Sequence, residues 1–156
     1  QVAAYAVYCG DEKSERLAYD FHREVLVPTQ LKPDGSAPKE EARTKSLSYT
    51  CMNLDGFALL CRLAEKRGQD LWSFKTKDGA GVLTSVAYAA RFLNEPSAWK
   101  KQQLSPADHI RAYFPALAGI SNGRPEWVEL QKRLGYPGNA WGRLTAMLVD
   151  AWKPHD

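Results

Sequence analysis

Residues 42–68 read "ARTKSLSYTCMNLDGFALLCRLAEKRG", a knot of charges and hydroxyls set directly against a long apolar run. Leu47, Cys51, Leu54, Ala58 and Cys61 recur at intervals of three and four, the spacing that lays side chains along one face of an α-helix. Gly68 stands just past the run, where a left-handed C-cap ends a helix. A buried helix from Ser46 or Leu47 to Arg67 is expected. Arg43 and Tyr49 flank its start six positions apart, a net rotation of roughly 240° on a continuous helix. They can meet only if Arg43 precedes the helix and folds back. Asn53, one turn after Tyr49, falls on the same stripe.

Outward from this segment the helical period continues, and strict alternation never persists beyond about four residues, so the chain reads as all-α. Helices are expected over 2–8, stopped by Gly10, and over 12–27, with Leu17, Phe21 and Val25 inward and Pro28 closing it. More follow over 81–93, over 106–120 with Ser105 as N-cap, over 125–134 stopped by Gly135, and over 144–152. Leu54, Leu60, Leu63, Phe92, Phe114 and Leu148 are expected in the core. The connection "PTQLKPDGSAPKEEARTKS" (28–46) is long and rich in Pro, Gly and Ser, which makes it the candidate substrate-facing element. Short links without a fixed repeat point to a toroid or bundle of helical hairpins forming a single domain over 1–156.

A chain of 156 residues is long enough to bury one core. Twenty-one Lys and Arg against 18 Asp and Glu leave a net charge of +3, which favours an anionic partner only weakly and does not indicate nucleic acid. No apolar stretch approaches the roughly 20 residues of a membrane span. The first residue is Gln1 and the helical pattern begins at once, so the chain reads as processed, trimmed or partial. Cys51 and Cys61 lie about 15 Å apart along one helix and cannot bridge. Cys9 could pair with either, but the expectation is three free thiols. No His or Cys pair has metal-ligand spacing, and no phosphate-cradling loop or nucleophile elbow occurs, so neither metal nor cofactor is expected. His22, His109 and His155 read as surface histidines. Trp99, Trp127 and Trp141 are open to two uses, stacking on sugars or packing.

The run "ARTKSLSYTCMNLDGFALLCRLAEKRGQDLW", with "DGS" at 34–36, "DG" at 78–79 and "WKKQQLSP" at 99–106, resembles the alginate lyase domain of the (α/α)-toroid polysaccharide lyases. The resemblance covers about 1–106. It implies an (α/α) toroid of antiparallel hairpins, incomplete in this chain, which would be its C-terminal portion. It implies Arg43 as an active-site arginine, Tyr49 as the catalytic tyrosine and Trp72 as a packing residue. The reaction would remove the C5 proton of a 4-linked uronate, in alginate or glucuronan, and expel the 4-O-linked sugar. Arg43 has the fork geometry that suits the uronate carboxylate. Tyr49 can act as acid and base, with Lys45 and Asn53 binding substrate. The Asn-His pair that such lyases carry on an earlier helix has no counterpart here. Association with an N-terminal portion of the same protein is therefore expected. A polymeric substrate implies a secreted or periplasmic protein.

Three other readings of these residues remain open. Arg43 can simply pair with Glu40 or Glu41 while Tyr49 sits in the core. The chain can be a non-catalytic helical module that binds uronan through Arg43, Lys45 and the 28–46 connection. Acids such as Asp55, Asp70 and Asp78 can serve glycoside hydrolysis if two of them pair.

Overall fold

The computed structural model describes residues 1–106 and 109–153. Among these the chain is all-α, an arc of helical hairpins of the (α/α)-toroid kind, and the only β-pairing is an isolated antiparallel bridge between Lys45 and Gln103. The helices are α1 (Val2–Cys9), α2 (Glu12–Phe21), α3 (Val27–Gln30), α4 (Pro38–Glu41), α5 (Ser46–Lys66), α6 (Val82–Asn94), α7 (Phe114–Ser121), α8 (Pro125–Leu134) and α9 (Ala140–Ala151). The central element is α5, which packs against α1, α4, α6 and α7. Its stripe of Leu47, Cys51, Leu54, Ala58 and Cys61 is at most 1% exposed. Gly68 ends it at φ 74°, a left-handed conformation that costs glycine little. Leu54, Phe92 and Phe114 are buried as expected. Leu60, Leu63 and Leu148 are only half-buried, because they face a groove that none of the described residues fills.

The second helix departs most from expectation. It does not close at Pro28: a π-helical turn at His22–Leu26 joins α2 to α3, and the helix runs through the proline to Gln30. The wider turn lies just where a proline's ring would otherwise collide with a carbonyl one turn back. Nor do Leu17, Phe21 and Val25 point inward; they are 66%, 49% and 36% exposed. The covered face is instead Glu15, Tyr19, His22 and Val27. Polar partners explain that choice. Tyr19 donates to the Glu15 carboxylate at 3.1 Å, and Arg67, just past α5, donates to both Glu15 oxygens at 3.1 and 3.4 Å.

His22 is not a surface residue. It is fully buried edge-on to Phe57, with ring centroids 5.5 Å apart, and neither ring nitrogen makes a hydrogen bond of normal geometry. Burial, with the nearby Arg23 charge, lowers its pKa to about 4, and the Leu71 backbone offsets this only in part. His109 is exposed, and His155 lies outside the described residues. The helix expected over 106–120, whose residues 107 and 108 are likewise outside, begins only at Phe114. There Asp55 of α5, 7% exposed, accepts from the N–H groups of Tyr113 (2.9 Å) and Phe114 (2.8 Å) and so fixes the start of α7. Burial pushes the Asp55 carboxyl up to about 7 against the pull of these two donors.

The connection before α5 is more structured than its composition suggests. Leu31, Gly35, Ser36 and Ala37 are buried, and α4 follows. Gly35, at φ 88°, lies so close to α6 that a Cβ there would sit 2.6 Å from the Tyr88 Cβ and 2.7 Å from the Thr84 carbonyl oxygen. The connection's longest run left open to solvent is 42–45. All three cysteines are free thiols; Cys9 is exposed, whereas Cys51 and Cys61 are buried.

Candidate functional site

Arg43 sits in a bend ahead of α5, and its guanidinium carbon lies 3.3 Å from the centroid of the Tyr49 ring. The arginine therefore folds back over the mouth of the helix, as the spacing requires. It is exposed, and Tyr49 is half-buried beneath it. A contact of this kind is worth about 0.5–1 kcal/mol at an exposed position. Arg43 also pairs with Glu40 at 3.3 Å through one terminal nitrogen. A guanidinium has five N–H donors, so this ion pair and a role toward an incoming carboxylate are compatible. The simple structural reading is thus half right: the Glu40 pair exists, but Tyr49 is not sealed in the core.

Lys45 is exposed at the N-cap position of α5. Its carbonyl accepts from the Tyr49 N–H at 2.9 Å. Asn53 does not join Arg43 in open solvent. Its amide nitrogen is covered and unpartnered, and the residue lines a groove of about 1010 Å³ bounded by α1, α2, α5 and α9. Leu17, Phe21, Leu60, Leu63, Trp141 and Leu144 supply much of its apolar wall, which Arg43 and Tyr49 do not line. Asn53 is therefore the hinge point between the polar mouth of α5 and this apolar face.

The mouth of α5 is tied down from the far side of the sequence. Ser46 N–H donates to the Gln102 carbonyl at 3.1 Å, Leu104 N–H to the Thr44 carbonyl at 3.0 Å, and the Trp99 indole to the Ser46 hydroxyl at 2.8 Å. Glu41, 8% exposed, accepts from the Ala37 N–H at 3.0 Å and forms an ion pair with Lys101. Local sequence reasoning missed Lys101 and Gln103 as partners and weighed Glu41 only as a partner of Arg43. The signal for the first two was the "WKKQQLSP" segment, which brings them to this place.

The remaining candidates have structural tasks. Trp99 and Trp127 are buried, whereas Trp141 is 50% exposed and stacks on Tyr113. Trp72 is buried and donates to Glu65 at 3.3 Å. Asp55 starts α7, Asp70 accepts from the Ser73 N–H and hydroxyl, and Asp78 accepts from the Thr76 hydroxyl. Each carboxylate is thus engaged by donors of this chain. Among the described residues no cluster of three or more His, Cys, Asp or Glu could hold a metal ion, and no helix is long and apolar enough to cross a membrane.

Comparison with known proteins agrees with the all-α toroid fold. The family model described as alginate lyase matches residues 1–99. A crystal structure of an alginate lyase from Bacteroides ovatus superposes with a TM-score of 0.79 over 98% of this chain, at 23% identity. The chain spans 40% of the length of that structure. No curated protein sequence matches the chain.

Proposed function

We propose that this chain, which belongs to the alginate lyase family, supplies the arginine–tyrosine side of a site that cleaves a 4-linked polyuronate by β-elimination. The observation that carries the reading is the Arg43 guanidinium held 3.3 Å over the Tyr49 ring at the exposed mouth of α5. In the reaction the C5–H bond breaks and its electron pair forms the C4–C5 double bond. The C4–O bond breaks, and the departing oxygen takes a proton. Charge builds on the uronate carboxylate as C5 loses its proton, so a fixed cationic donor there stabilises the transition state; one well-placed donor is worth about 3–4 kcal/mol. The Arg43 donors not used by Glu40 suit that carboxylate. The Tyr49 hydroxyl is the proton carrier beside it. Lys45 adds positive charge at the approach, and Asn53, one turn beyond Tyr49, faces the groove side of α5.

The Asn-His half of the site comes from further toroid helices of the same protein, seated on the apolar groove of α1, α2, α5 and α9. The support is the unfilled face itself, together with a structural relative of which this chain spans 40%. A polymeric uronate is met outside the cytoplasm, so the complete enzyme is secreted or periplasmic.

The test is the absorbance of unsaturated uronate ends when the complete protein is mixed with polymannuronate or glucuronan. Tyr49→Phe keeps the ring, so stability should change by about 1 kcal/mol or less. Turnover should fall by roughly 10²- to 10⁴-fold, with substrate binding largely retained. Arg43→Ala should weaken binding and rate together. Binding without any unsaturated product would mark a uronan-binding module. Near-full turnover by a folded Tyr49→Phe would refute the mechanism.

A further inference from the structure

The N-terminus of α5 has no cap of its own. Lys45 occupies the N-cap position and offers no side-chain acceptor, unlike Asp11 before α2 or Asn139 before α9. The first N–H groups of a helix need partners from outside it. Here they come from two consecutive glutamines. The Gln102 carbonyl takes the Ser46 N–H, as described above. The Gln103 side-chain oxygen takes the N–H groups of Leu47 at 2.9 Å and Ser48 at 3.4 Å, across 56 and 55 residues of sequence. The Gln103 amide nitrogen donates to the Ser48 hydroxyl at 2.8 Å, the Ser105 carbonyl at 3.0 Å and the Ser105 hydroxyl at 3.2 Å. That side chain's hydrogen bonds all go to the turn that presents Tyr49 and to the 103–105 segment beside it.

We infer that Gln103 is the positioning residue of the site, a cap supplied from a distant segment that sets where the Tyr49 phenol and the overlying Arg43 stand; the inference rests on the reading of Tyr49 as the proton carrier. The bridge between Lys45 and Gln103 fixes the backbone on either side of the join. Without the Gln103 oxygen two N–H groups in the first turn of α5 lose their shared acceptor, and Tyr49, the next residue, moves with it. A misplacement near 1 Å at a reacting group is enough to lower a rate by about 10²-fold. Gln103 does not touch substrate in this scheme, so the loss falls on turnover more than on binding.

The experiment compares Gln103→Met, which keeps length and loses both polar ends, with Gln103→Glu, which keeps the acceptor. In the complete enzyme Gln103→Met should lower kcat by roughly 10- to 100-fold, with KM changed by less than about threefold. Gln103→Glu should recover most of that loss. Hydrogen exchange at the Leu47 and Ser48 amides should accelerate at least about tenfold in Gln103→Met and stay near native in Gln103→Glu, with the Leu54 amide unaffected in both. If Gln103→Met does not fold, Gln103→Asn, whose amide is one methylene too short to reach Leu47, carries the same expectation. An unchanged kcat in a folded variant, equal damage from Glu and Met, or lost turnover with unchanged exchange at Leu47 and Ser48 would each overturn the inference. A fully active Tyr49→Phe would instead overturn the proposed function, and exchange at Leu47 and Ser48 would still report separately whether Gln103 holds the turn.

Discussion

Two buried groups titrate against each other, and removing either one should expose the other. His22 is held neutral by burial, its pKa moved from 6.5 to about 4. Between those values the unfolded chain binds a proton that the folded chain refuses, so this contribution is complete above pH 6.5 and is lost as pH falls toward 4. Asp55 is shifted the other way, from 3.8 to about 7. Between those values the folded chain keeps a proton that the unfolded chain releases, so its contribution is complete below pH 3.8 and is lost as pH rises through 7. At about 1.4 kcal/mol per pH unit, the first is worth roughly 3 kcal/mol and the second roughly 4 kcal/mol. Across about pH 4.5–6.5 the slopes of these two groups nearly cancel, so the native profile should be flatter there than that of a variant lacking either one. Asp55→Asn keeps an acceptor for the Tyr113 and Phe114 N–H groups but cannot titrate. Urea unfolding followed by helical circular dichroism, from pH 4.5 to 6.5, should then show stability rising by about 2–3 kcal/mol. His22→Phe should show the opposite slope. If the profile of Asp55→Asn stayed as flat as the native one, the opposition of these two groups would be refuted.

Other outcomes follow from the packing. Leu54→Ala should cost about 2–5 kcal/mol, because Leu54 is wholly buried, whereas Leu60→Ala should cost clearly less, because Leu60 stands half-covered on the groove wall; equal losses in denaturant titrations would contradict that assignment. One thiol per chain, that of Cys9, should react rapidly with a disulfide reagent in the folded protein, and three should react after unfolding. Fast native labelling of Cys51 or Cys61 would mean that the α5 stripe opens.

The α5 helix was legible because its apolar period, its glycine stop and its charged entry all agree. The Arg43–Tyr49 contact was legible for a similar reason, since six positions leave only one way for the two to meet. The inversion of α2 was not. Periodicity identifies which face is apolar, but Leu17 and Phe21 lie on a face this chain leaves open, while Glu15 and Tyr19 are covered by pairing with each other and with Arg67. The start of α7 was hidden because Pro106 and Ser105 make a plausible entry, yet α7 begins at Phe114, where Asp55 caps it from another helix. Gln103 was illegible for the same reason. A side chain that serves a helix some 55 residues away leaves no local pattern.

The π-turn at His22–Leu26 has a meaning for the lineage of this chain. The covered positions along the helix are 15, 19, 22, 27 and 31, in steps of four, three, five and four, and the five falls inside the wide turn. A step of five is one turn only where the helix closes i to i+5, so the segment behaves as a single inserted residue absorbed without breaking the helix. Deleting one residue there would restore an ordinary helix, shorten the step of five to four, and leave Val27 and Leu31, now 0% and 1% exposed, on the covered face. A relative that lacks the extra residue can therefore bury the equivalents of Val27 and Leu31 after it, and an alignment of such a pair should open its gap within 22–26 rather than in the proline-rich connection that follows.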